Sequence, residues 1–286
     1  MVLTELKEAL GLLRTIPVLW VPGLVAGILA AVLWMISNTQ GIFVASRLIL
    51  IFSFIAIFFL AGSYAVIRNG NGGIRELFKG GIQYFFRVLL PLLVIIFCAL
   101  ILIALVVITL SFGGVPANPE FVGIFSIFIL IPVAFLTVFF DTAAVFENLR
   151  IFDAIKRSIE LVTTQSARVL KFYVISAAVF VVITFSLMLI WEAALYDKLE
   201  PLTRFNETQI AAFTPEQLMG MIGADGAVIT AVCLFLGFLV LLPVLSTYKA
   251  CFFRSLTQGT MSTRGPVPIE QQITGEYDSK GRWYKY

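Results

Sequence analysis

Hydrophobic positions along the chain collect into six long runs, at 18–37, 43–67, 88–112, 121–146, 169–195 and 225–253, separated by polar or basic segments. A hydrocarbon core about 30 Å thick takes about 20 apolar residues of helix, and each run meets that length. None holds a sustained two-residue alternation, which disfavours a β-barrel. Helices also satisfy their own backbone groups in lipid. The pattern predicts an all-α, polytopic membrane protein. Its six transmembrane helices form one domain over 1–256, followed by a polar tail over 257–286.

Three shorter segments show a different period. Leu3, Leu6, Leu10 and Leu13 share one helical face, as do Ile74, Leu77, Phe78, Gly81 and Phe85, and Ile151, Phe152, Ile155, Ile159 and Val162. Spacing by three and four is amphipathic-helical. The polar faces carry Lys7, Arg75, Lys79, Lys156 and Arg157. Such helices lie in the headgroup plane with their bases toward anionic lipid, so membrane lipid is the expected partner and Lys79, Lys156 and Arg157 the expected contacts. Each segment precedes two spans, which predicts a threefold hairpin repeat. The unit ends also match: Ser63–Asn69 aligns with Thr142–Asn148 and with Lys249–Ser255.

Composition agrees. Sixty per cent of the residues are hydrophobic and 13% charged, with 27 Phe and no His, against about 25% charged in soluble domains. Mean hydropathy is +1.00. The missing imidazole removes Ser-His-Asp triads, Cys-His dyads, His-ligated metals and His proton relays. Cys98, Cys233 and Cys251 sit singly in apolar runs and read as fillers. No cofactor is expected, and a net charge of +3 is too small to imply nucleic acid. The N-terminus, the 2–3 loop, the 4–5 loop and the C-terminal end hold 2, 4, 5 and 6 Lys or Arg, 17 of the 20 in the chain. The positive-inside rule then places both termini in the cytoplasm of a cell-membrane protein. The first run follows Glu5 and Glu8 and lacks a small-x-small cleavage site, so it is expected to be a retained span.

The stretch Phe152-Asp153-Ala154-Ile155-Lys156-Arg157-Ser158-Ile159-Glu160-Leu161 resembles the interspan helix of a widespread prokaryotic six-span family. That family includes the membrane domain attached to some glycerophosphodiester phosphodiesterases and many stand-alone bacterial and archaeal proteins. The resemblance implies a six-span layout. It carries over no phosphodiesterase activity, because the catalytic domain of such fusions is separate and soluble.

Ionisable residues inside spans are functional candidates by default. Asp141 lies near the end of span 4 and Lys249 at similar depth in span 6. We expect them to pair, with Tyr64 or Tyr248 nearby. Glu192 and Arg47 read as interfacial. Pro132 and Pro243 remove backbone donors inside spans 4 and 6 and favour kinks. Pro17, Pro22 and Pro91 fall at span entrances. Gly23 and Gly27 form a small-residue contact motif in span 1. In the 5–6 loop, Thr214, Pro215 and Gln217 spell a helix start, and Asn206-Glu207-Thr208 is a glycosylation sequon. The tail brings Tyr277, Trp283, Tyr284 and Tyr286 around Asp278–Gly281, as a small hairpin or as a disordered segment that binds a protein partner.

No catalytic motif is present, and the leading expectation is a non-enzymatic membrane protein organising lipid or a partner through its interfacial helices. The alternative is a transporter or lipid-handling protein with a polar site near Asp141 and Lys249. A lipid-acting enzyme would need converging carboxylates or an activated nucleophile, and Asp141 and Glu147 make a poor dyad.

Overall fold

The computed structural model describes residues 2–70, 72–112, 118–206, 214–263, 275–277 and 283–285. Its helices are α1 Val2–Thr15, α2 Val21–Gln40, α3 Ile42–Asn69, α4 Ile74–Phe112, α5 Pro119–Thr137, α6 Phe140–Phe146, α7 Ile151–Thr164, α8 Ser166–Ala194, α9 Tyr196–Leu199 and α10 Pro215–Thr263. Short 3-10 turns cover Pro17–Trp20 and Glu200–Arg204. Six stretches are long and apolar enough to cross a membrane: Pro17–Gln40, Ile42–Asn69, Ile74–Phe112, Phe121–Phe146, Ser166–Ala194 and Gln217–Thr257. They coincide with the six hydrophobic runs, and the chain is a multi-pass, all-α membrane protein.

Three spans depart from simple rods. The second amphipathic segment is not a separate surface helix: α4 is continuous over 39 residues, about 58 Å at 1.5 Å per residue, and runs through Pro91. Span 4 is broken between α5 and α6. The Ser158 hydroxyl fills the break, donating to the Leu136 carbonyl at 2.9 Å and accepting from the Phe139 amide at 3.0 Å. Span 6 is preceded by the expected short helix. Thr214 and Gln217 cap it reciprocally, at 2.9 and 3.3 Å. It ends at Gly223, whose φ of 66° only glycine adopts readily. Lys198 donates to the Ile222 carbonyl there at 2.7 Å. Beyond the predicted boundary at 256, α10 continues to Thr263, and strands β1 Gly275–Tyr277 and β2 Trp283–Lys285 pair antiparallel.

The repeat is visible as a closed ring. The start of α4 packs on α3, α7 packs on α5 and α6, and α1 packs on α10. Each amphipathic segment therefore sits on the second span of the preceding unit, and the first unit sits on the last. One register relates the three segments. Glu5, Leu77 and Ala154 correspond and are buried, as are Ala9, Gly81 and Ser158. Lys7, Lys79 and Lys156 correspond and are exposed, as are Leu10, Ile82 and Ile159. The matched positions Arg68, Glu147 and Arg254 each bind the next segment. Arg68 donates to Tyr84 Oη at 2.6 Å, Glu147 takes the Arg157 Nε at 3.0 Å, and Arg254 pairs with Glu8.

The protein-facing side of each segment matches the apolar stripe read in the sequence only in part, at Leu13, Leu77, Gly81 and Val162. Leu3, Leu10, Ile74, Phe78, Phe152 and Ile159 are exposed, while the buried positions include Ala9, Gly80, Gly81, Ala154 and Ser158. In lipid, bulky apolar side chains gain little by leaving the acyl chains, and small residues let backbones approach closely. Gly62 shows this: a Cβ there would lie well inside van der Waals contact with the Leu77 carbonyl. Gly23 and Gly27 serve the same purpose within the chain, where an added Cβ would meet Pro243 at 2.5 Å and the Phe235 carbonyl at 2.7 Å. The motif joins spans 1 and 6.

Gly62→Ala should destabilise the bundle by about 1–3 kcal/mol through overpacking. Gly123→Ala, where nothing lies within 4 Å, should be neutral or slightly stabilising. Thermal unfolding followed by size-exclusion recovery checks the contrast.

Candidate functional site

The three units meet at one polar point. Tyr64 comes from α3, Asp141 from α6 and Lys249 from α10, one residue from each hairpin. Lys249 Nζ donates to Asp141 Oδ2 at 2.7 Å, and Tyr64 Oη donates to the same oxygen at 3.2 Å. The other carboxylate oxygen accepts the Thr142 amide at 2.7 Å. Both oxygens are thus occupied. Asp141 is 5% exposed and Tyr64 1%.

Local structure explains the position of the acid. The break at Val138 and Phe139 starts a new helix, and Asp141 falls in its first turn, where free amides favour negative charge. The Thr142 hydroxyl returns to the Phe139 carbonyl at 2.9 Å, holding that turn. Close to Asp141 and Lys249 in sequence, Phe139, Phe252 and Phe253 join Phe172 in a fully or nearly fully buried aromatic cluster. Phe172 stacks on Phe252 with ring centroids 4.7 Å apart. An apolar surround strengthens a satisfied ion pair and raises the cost of an unsatisfied one.

The expected pairing of Asp141, Lys249 and Tyr64 is present. Tyr248 is buried next to this node in sequence: its ring lies 5.0 Å from Phe172 of α8, within electrostatic range of Glu5. Pro132 is exposed, and the helix break falls several residues after it. Pro243 packs against Gly23.

Among the expected lipid contacts, Lys79 and Lys156 are exposed. Arg157 is not free for lipid, because Glu147 and Glu160 hold it at 3.0 and 3.2 Å. Glu192 is exposed, and Arg47 lies over the Phe43 ring at 4.1 Å. Trp34 and Trp191 bind span 6 through the Ala227 carbonyl and Thr230 Oγ1, at 3.0 and 2.8 Å. The sequon continues beyond Asn206 into 207–213, outside the described residues. Sequence reading missed Ser158 and Glu5. Each is a polar residue spaced by four from small or apolar residues on a buried helical face, and that spacing was the available signal.

Removing one partner of a buried ion pair costs about 3–5 kcal/mol, because the other charge is left uncompensated. Asp141→Lys and Lys249→Asp should each abolish recovery of monodisperse protein. The double variant should recover more than either single one, measured by fluorescence-detected size exclusion. A double variant no better than the singles would refute a direct pair. Tyr64→Phe should cost about 1–3 kcal/mol by orphaning one acceptor position.

No protein-family model, curated protein or solved structure matches the chain.

Proposed function

We propose that this chain is a non-enzymatic integral membrane protein that organises anionic lipid at its basic end, with that end in the cytoplasm. One observation carries the reading. Each unit presents the same exposed pair, a lysine followed three residues later by a bulky aliphatic: Lys7 and Leu10, Lys79 and Ile82, Lys156 and Ile159. The residues that fill the helix crossings are separate from these. An exposed base beside an exposed apolar side chain on an interfacial helix fits an anionic headgroup above an acyl chain. The tail hairpin and the same helices offer surfaces to a protein partner.

A second reading is transport or lipid handling. The broken span 4 beside Asp141 favours it, since discontinuous helices line transport sites. The fully occupied Asp141 carboxylate favours a structural joint instead.

The protein reconstituted in nanodiscs of equal phosphatidylglycerol and phosphatidylcholine should retain phosphatidylglycerol selectively through detergent extraction. Lys7→Gln, Lys79→Gln and Lys156→Gln together should remove that selectivity. The loss should be about fivefold per site, from about 1 kcal/mol per lysine, and raised ionic strength should mimic it. Equal retention of both lipids by the unaltered protein would sink the reading.

A further inference from the structure

The three seams of the ring share a register but differ at one buried position. On α4 it is Leu77 and on α7 it is Ala154, each 0% exposed. On α1 it is Glu5, 7% exposed, with a carboxylate oxygen, Oε2, that has no hydrogen-bond partner among the described residues. Tyr248 and Cys251 of α10 are within electrostatic range of Glu5, and Cys251 also of Glu8 and Arg254. Arg254 is taken by Glu8. At this position two seams carry an apolar side chain, and the third buries a polar atom that water would solvate better.

The third seam is also the one that no short connection spans. The α3–α4 and α6–α7 junctions are consecutive in the chain, whereas α1 and α10 lie at opposite ends of the fold. A further asymmetry lies in α1 itself. It has a docked face of Glu5, Ala9 and Leu13 and an overlapping stripe of Leu3, Leu6, Leu10 and Leu13, of which Leu3 and Leu10 are exposed when docked. The stripe suits a helix lying on lipid. The molecule therefore holds α1 between two apolar surfaces, with Glu5 penalising the docked one.

We propose that α1 is a releasable latch: it undocks from α10 as a unit, lies on the membrane through its leucine stripe, and uncovers the face of α10 that carries Tyr248 and Cys251. Undocking hydrates Glu5 and leaves the Asp141–Lys249–Tyr64 joint intact, because no atom of α1 takes part in that joint's hydrogen bonds. The inference shares Leu10 with the lipid reading, but its test acts through Glu5, which that reading does not use.

Hydrogen–deuterium exchange on the full chain in nanodiscs tests it. Amides of α1 should exchange together and at least about tenfold faster than those of α7, which occupies the equivalent place in the ring. Glu5→Leu or Glu5→Ala, which install the residues of the other two seams, should slow α1 by about tenfold and leave α7 unchanged. Leu77→Glu should conversely speed exchange at the start of α4. Fraying of a chain terminus would not respond to the side chain at position 5. Equal protection of α1 and α7 in the unaltered protein overturns the proposal. So does faster or unchanged α1 exchange in both Glu5 variants with α7 still protected. Should both variants speed α7, the bundle has been lost, and the Leu77→Glu chain decides: unchanged exchange at the start of α4 overturns the proposal.

Discussion

A carboxylate inside a membrane bundle must find its counter-charge within the protein, and the rest of this structure is arranged around that requirement. Hydrocarbon offers Asp141 neither water nor ions. Its charge is met by Lys249, Tyr64 and the Thr142 amide. These donors come from three hairpins, and the node is where a side chain of each meets the others. Apolar helices gain little from associating in lipid, because acyl chains are as apolar as leucine. The node supplies what apolar packing in a bilayer cannot, a directional reason for three hairpins to meet at one point.

Close packing then spreads from that end. The fully buried large side chains include Tyr64, Tyr248, Phe139, Phe252, Phe253, Leu77, Leu161 and Leu256, all near the basic ends of spans or on the interfacial segments. Farther from it, burial falls mainly on small residues such as Gly27, Ala99, Ala227 and Ala231, with Leu195 and Ile222 a separate buried pair at the opposite end. Large apolar residues there, Phe97, Phe128, Val174 and Phe185 among them, remain exposed. The molecule is a joint at one face with spans held mainly by lipid at the other. Helix–helix contact away from the joint is carried chiefly by spans 1 and 6, through Gly23, Gly27 and Pro243.

Much of the architecture could be read in the sequence because length and periodicity are local properties. The six spans and the Thr214–Gln217 cap needed only neighbouring residues, whereas the tail strands were one of two readings the sequence left open. The Asp141–Lys249 pair was also legible, since two opposite charges at equal depth in a membrane have few other partners. The facing of the amphipathic segments was not. Hydrophobic periodicity marks which side avoids water, and here both sides of each segment do: one meets lipid and the other meets protein. At the crossings size separates the two, with Ala9, Gly81 and Ser158 turned inward and Leu10, Ile82 and Ile159 outward. Leu13, Leu77 and Leu161 are large residues that are also buried. The break in span 4 was displaced from Pro132 for a related reason. A proline loses one donor, but the ladder opened where the Ser158 hydroxyl could occupy the gap.

The node has a consequence for how the chain is made. Asp141 and Lys249 are 108 residues apart. Synthesis runs N-terminus first at about 5–20 residues per second, so span 4 carries its acid for about 5–20 s before the matching base exists. Tyr64 is already present by then, as is the Thr142 amide. These two neutral donors are the acid's early company, and the lysine is its late one. The order of manufacture thus assigns the tyrosine a task the finished molecule conceals: sheltering a charge until the last hairpin arrives.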